Sequence, residues 1–212
     1  MARYGLNLRE TSGHVSSDGT NNTYLKGDEN YPAARTLNGE NFGYIAGAPG
    51  GPGAGNTRDR TPTTYPELAG LHFTLGTALD IQIDLPATGN YDIHLALGDT
   101  NDLDRSVTYI YDDTTLKATI NTPTMTGAGQ YCDATGVQHS SGANWIANEA
   151  AVTINFSTTV LRVVTDNVDT FGYINHIAYE AASGGSTVTC TGVASSAAYG
   201  TTVVNPGPVT LS

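Results

Sequence analysis

The chain of 212 residues carries 20 Asp and Glu against 9 Lys and Arg, a formal charge of −11, which excludes nucleic acid as its main partner because polyanions are repelled. With 25 Gly, 9 Pro and only 14% charged residues, the composition favours short strands joined by many turns over long amphipathic helices. No window approaches the roughly 20 apolar residues of a membrane span, and Met1-Ala2-Arg3-Tyr4-Gly5-Leu6 runs into polar residues where a secretory signal needs an apolar stretch.

In chain order, residues 1–45 form an arm and the first strands, with aromatic side chains spaced as Tyr4, Tyr24, Tyr31, Phe42 and Tyr44. Residues 46–66 are rich in Gly and Pro and read as one long loop, interrupted by the charged Arg58-Asp59-Arg60. Residues 67–181 are the main domain, with strands predicted over 70–75, 79–85, 91–97, 106–111, 116–121, 152–156, 160–165 and 173–179. The clearest is Leu79-Asp80-Ile81-Gln82-Ile83-Asp84-Leu85, where apolar and polar residues alternate as a sheet with one buried face requires. After Pro86-Ala87-Thr88-Gly89 the same phase resumes through Tyr91, Ile93, Leu95 and Leu97, which predicts a hairpin. Eight such strands predict an all-β fold, an antiparallel β-sandwich of jelly-roll type. Residues 182–212 follow as a flexible Gly/Ser linker and an extended, repeat-like C-terminal appendage, in which Val188-Thr189 recurs as Val209-Thr210.

The acidic run Gly98-Asp99-Thr100-Asn101-Asp102-Leu103-Asp104-Arg105 offers Asp99, Asp102 and Asp104 as hard ligands for Ca²⁺. Leu103 stands at the fifth loop position and no Gly at the sixth, so an acidic turn is preferred and no cofactor is expected. The histidines His14, His72, His94, His139 and His176 show no zinc spacing and read as scattered surface or partly buried residues. His94, on the polar face of its strand near Asp92, projects from the sheet. Two cysteines, Cys132 and Cys190, are too few for a disulfide framework and read as two free thiols first, with a single bridge between them as the alternative. No nucleophile elbow or triad stands out, and the chain is read as non-enzymatic. Aromatic residues total 8%, with no ring of exposed aromatics apparent; Tyr65, Trp145 and Asp99 are the candidates for ligand contact at a loop rim.

Arg58-Asp59-Arg60, Leu68-Ala69-Gly70-Leu71-His72-Phe73, residues 83–99 and Gln130-Tyr131-Cys132-Asp133-Ala134-Thr135-Gly136 together resemble a family of uncharacterised proteins of tailed bacteriophages and prophages. The strands within them are similar to those of galactose-binding-like jelly rolls, including malectin-like carbohydrate-binding modules. The C-terminal Gly192-Val193-Ala194-Ser195-Ser196-Ala197-Ala198-Tyr199-Gly200 is similar to short repeats of phage structural proteins. The resemblance implies a virion structural protein made in the host cytoplasm, first of all a capsid decoration or head-fibre protein. Its partners would be the major capsid protein or other virion proteins. It would assemble as a homo-oligomer, for instance a trimer, anchored through the segment after Gly185 that holds Val188, Tyr199 and Val209, or through the N-terminal arm Ala2 to Arg9. The alternative is a carbohydrate-binding module that adheres to surface glycans, and a hydrolase on a jelly-roll scaffold ranks third.

Overall fold

The computed structural model describes residues 2–9, 21–50, 56–59, 65–74, 76–99, 104–124, 130–140, 144 and 147–183. The strands are β1 (Tyr4–Arg9), β2 (Asn21–Lys26), β3 (Phe42–Ala46), β4 (Thr57–Asp59), β5 (Gly70–Phe73), β6 (Leu79–Asp84), β7 (Gly89–Ala96) and β8 (Ser106–Asp112). They continue with β9 (Thr115–Asn121), β10 (Tyr131–Cys132), β11 (Gln138–His139), β12 (Val152–Phe156), β13 (Val160–Asn167), β14 (Tyr173–Ile174) and β15 (His176–Ala181). One compact unit spans Met1–Ala182. No helix of the described residues is long and apolar enough to cross a membrane.

Two five-stranded sheets face each other. The first has the order β12-β7-β15-β1-β2 and the second β3-β6-β13-β8-β9. Their inner faces meet as one apolar layer, Leu6, Ile93, Leu95, Ile154 and Ile177 from the first against Ile81, Ile83, Ile110, Leu161 and Val163 from the second. Each such side chain, removed from water, contributes about 1.5 to 3 kcal/mol of transfer free energy. The architecture is therefore the antiparallel β-sandwich of the sequence reading. Among the described residues β1 pairs in parallel with β2 and antiparallel with β15, so residues 4–9 are an interior strand of the first sheet and not a free arm for anchoring. The appendage expected over 182–212 falls, from residue 184 onward, outside the described residues.

Three expectations need correction. Strands β6 and β7 are not a hairpin: β6 pairs with β3 and β13, whereas β7 pairs with β12 and β15. The link 85–88 crosses from one sheet to the other, and an unbroken inward phase is equally what an arch between two facing sheets demands. The strand predicted over 173–179 breaks at Asn175, which passes the chain from a three-stranded sheet, β14-β5-β4, into the first large sheet. There Asn175 accepts a backbone bond from Leu8 N (2.9 Å) and donates its amide to Gly70 O (3.0 Å). The loop over 46–66 is also not wholly irregular, because Thr57, Arg58 and Asp59 pair with β5.

The histidines are far more buried than expected: His72, His94, His139 and His176 are all at or below 9% exposure, and His14 lies outside the described residues. His72 shows why burial is tolerable. Its Nε2–H donates to the Arg9 carbonyl (2.9 Å), which leaves Nδ1 to accept from the Tyr44 hydroxyl (2.5 Å). Both nitrogens are satisfied only in the neutral ring, and burial lowers its pKa from 6.5 to about 4. The folded protein thus binds fewer protons than the unfolded chain between these values. Its stability is whole above pH 6.5 and falls as the pH drops toward 4.

Urea unfolding at pH 7 and pH 4.5 should show a loss of roughly 2 to 3 kcal/mol from this ring. His72→Gln should be less stable at pH 7 but lack that part of the pH dependence; an unchanged difference between the two pH values would refute the assignment.

Candidate functional site

Strand β8, Ser-Val-Thr-Tyr-Ile-Tyr-Asp, alternates with its polar phase inside: Ser106, Thr108, Ile110 and Asp112 are buried, while Val107, Tyr109 and Tyr111 face outward. This inversion holds because every inward polar group is bonded. Ser106 Oγ accepts from Tyr173 N (2.8 Å), and Ser106 N donates to Thr122 Oγ1 (2.6 Å). The hydroxyls of Thr108 and Thr165 share a bond of 3.0 Å. Asp112 accepts from the backbone and hydroxyl of both Ser157 and Thr158, at 2.6 to 3.0 Å, and pairs with Lys117 Nζ at 3.2 Å. Burial pushes its carboxyl up, but these four donors outweigh it and hold the group far below the usual carboxylate range.

With β8 locked, register fixes the outer face of the second sheet. Tyr109 lies between Thr119 and Val164, Tyr111 between Leu116 and Arg162, and Val107 between Asn121 and Asp166. The next strand sets Asp80, Gln82 and Asp84 opposite Val164, Arg162 and Val160. The two tyrosine rings have centroids 6.4 Å apart at 49°. The Arg162 guanidinium stands 5.5 Å from the centre of the Tyr111 ring. Its Nε and Nη2 donate to both oxygens of Asp80 (3.2 and 2.5 Å), and its Nη1 to the Asp113 carbonyl (3.2 Å). This fork raises the Arg162 pKa still further. Asp84 accepts from Tyr31 OH (2.7 Å) and Gln82 Nε2 (3.0 Å). Half-buried aromatic rings beside fixed hydrogen-bonding groups present stacking surface and polar edge together, which is the chemistry that holds a sugar ring.

Of the candidate site residues singled out by sequence, Tyr65, Asp99 and Asp104 are described, and they are not on this face. Tyr65 packs with Leu68, Ala96 and Tyr131, on the side of the first sheet. Asp99 is wholly buried and accepts from Arg58 at 3.1 Å. Asp104 accepts from the amides of Thr170 and Phe171 (3.2 and 2.9 Å), closing the turn after β13. Asp99 and Asp104 are thus engaged separately. Asp102, Trp145, Val188, Tyr199 and Val209 lie outside the described residues, as does Cys190. Tyr109, Tyr111 and Arg162 are not among the residues the sequence singles out; the signal for the two tyrosines is the Val-x-Tyr-x-Tyr alternation within the strand predicted over 106–111.

The other titratable clusters hold segments in place. Asp133 accepts from His139 Nε2 (2.8 Å), from Thr135 twice, and from the amides of Val137 and Ala150. Burial pushes the free thiol of Cys132 up to about 12, which leaves no thiolate at neutral pH. Glu149 pairs with Arg3 and lies 3.4 Å from His94 Nδ1, while His94 Nε2 lies 3.3 Å from Glu180. Burial raises the Glu149 carboxyl, but His94 and Arg3 bring it down to about 2. His94 is therefore wedged between carboxylates rather than projecting into solvent.

No known protein family and no curated protein matches the chain. Among solved structures, Bacteroides uniformis β-glucuronidase is similar at a TM-score of 0.51 and 14% identity, covering 85% of this chain and 18% of that one. A CBM35 module from Cellvibrio japonicus Abf62 is similar at 0.36 and 11% identity, covering 58% of this chain and 78% of the module. A CBM6 module of Cellvibrio mixtus lichenase 5A, in complex with cellotriose, is similar at 0.35 and 15% identity, covering 60% and 88%. At 14% identity the glucuronidase likeness concerns the fold alone, this chain spanning less than a fifth of that enzyme's length. The two modules are too distant in shape to carry more.

Removing the Asp112 carboxylate breaks four part-buried hydrogen bonds from Ser157 and Thr158, so Asp112→Ala should lose about 2 kcal/mol in urea unfolding at pH 7. Because the folded carboxyl titrates below its ordinary 3.8, the wild type should also lose stability as the pH falls through that value. An alanine variant as stable as the wild type would show that Asp112 does not hold β8.

Proposed function

We propose that the chain is a non-catalytic carbohydrate-binding module whose binding surface is the outer face of the second sheet. The observation that carries this reading is the outward phase of β8, with Tyr109 and Tyr111 side by side on a strand whose polar residues are bonded inside. Two rings at that spacing offer an extended stacking surface along one strand. Thr119, Asn121 and Gln82 flank it with groups able to bond sugar hydroxyls. The capsid-decoration reading rests on the sequence resemblance and on an anchoring segment outside the described residues, whereas the carbohydrate reading has a surface to support it. A glycan-binding module displayed on a virion would reconcile the two.

Affinity electrophoresis through gels carrying soluble polysaccharides tests the proposal. Retardation by at least one polysaccharide is expected, and Tyr109→Ala or Tyr111→Ala should weaken it roughly fivefold to tenfold, the worth of one aromatic contact. Unaltered retardation of both folded variants would place the site elsewhere, and no retardation by any glycan would remove the function.

A further inference from the structure

Resting on that reading, we infer that the face selects uncharged or amino-bearing glycans and turns away uronates, and that Asp80 is the residue that sets this selectivity. The central cation is Arg162, and a guanidinium fork beside an aromatic ring is what would grip a sugar carboxylate in two parallel bonds. That fork is already filled. Asp80 takes Nε and Nη2 with both carboxylate oxygens, and the Asp113 carbonyl takes Nη1. Asp80 thus occupies, from within the protein, the place a uronate carboxylate would take.

The surroundings act in the same direction. Asp84 and Asp166 share the face, and the Lys117 ammonium at its margin is paired with Asp112. An incoming anion would have to displace a carboxylate from its own partner while approaching two more, in a chain of net charge −11. A neutral sugar meets none of this opposition. It can stack on the tyrosines and donate its hydroxyls to carboxylate oxygens that are already ordered. A protonated amino sugar gains attraction besides.

The test compares wild type and Asp80→Asn by affinity electrophoresis and titration calorimetry, with xylan and mixed-linkage β-glucan as neutral probes, chitosan oligomers as the amino probe, and polygalacturonate as the acidic probe. The wild type is expected to bind at least one neutral or amino probe and to bind polygalacturonate at least tenfold more weakly. Asp80→Asn leaves the Arg162 fork free for a ligand carboxylate and should strengthen polygalacturonate binding at least fivefold, the gain fading as salt rises from 20 to about 300 mM. Equal binding of acidic and neutral probes by the wild type overturns the selectivity while leaving the binding module intact. A folded Asp80→Asn with no gain for polygalacturonate overturns the role of Asp80. If that variant does not fold, Asp80→Ser with the same probes decides the point. Failure of every probe to bind the wild type overturns both this inference and the function beneath it.

Discussion

A strand placed in a β-sandwich must turn one phase of its side chains inward, and β8 turns in the polar one. Leaving Ser106, Thr108 and Asp112 unbonded there would cost several kcal/mol, so the orientation survives only because each has its partner. Asp112 is the chief of these. It ties the end of β8 to the turn between β12 and β13, and so couples a strand of one sheet to the connection that leads back from the other. Everything on the outer face follows from that choice, because the rings of Tyr109 and Tyr111 can be outside only while Thr108 and Asp112 are inside.

Buried hydrogen bonds join other parts of the unit as well. His72 joins Tyr44 to the backbone of Arg9, Asn175 threads the small three-stranded sheet to the large one, and Asp133 gathers the amides of its own turn with that of Ala150. The apolar layer between the sheets supplies the bulk of the stabilisation and is indifferent to strand order. These buried bonds are directional, and they discriminate between the observed arrangement and others of equal hydrophobicity. The clusters around Asp133 and Glu149 likewise tie segments distant in sequence to one another.

Much of the sandwich was legible because long strands with one buried face write a period of two into the sequence, as in Leu79–Asp84 and Val160–Asn167. Pairing was not legible. The phase of Ile83 and Leu85 continues into Tyr91 and Ile93 whether the chain turns back in its own sheet or crosses to the facing one, and only tertiary context separates a hairpin from an arch. Short elements such as Thr57–Asp59 escaped because three residues among glycines carry no period. The site escaped for a different reason. In Ser106–Asp112, hydrophobicity alone assigns valine and tyrosine to the core; the hydrogen bonds that reverse this come from Thr122, Ser157, Thr158, Thr165 and Tyr173, all remote in sequence.

The proposed contact between a glycan and the outward tyrosines of β8 can be observed at the rings themselves. Protein labelled with ¹³C in its tyrosine rings, titrated with a soluble oligosaccharide of the polysaccharide that retards it, should show the Tyr109 and Tyr111 resonances moving together along one saturable curve while Tyr65 stays still. Movement of Tyr65 with Tyr109 and Tyr111 stationary would refute that contact and transfer the site to the side of the first sheet.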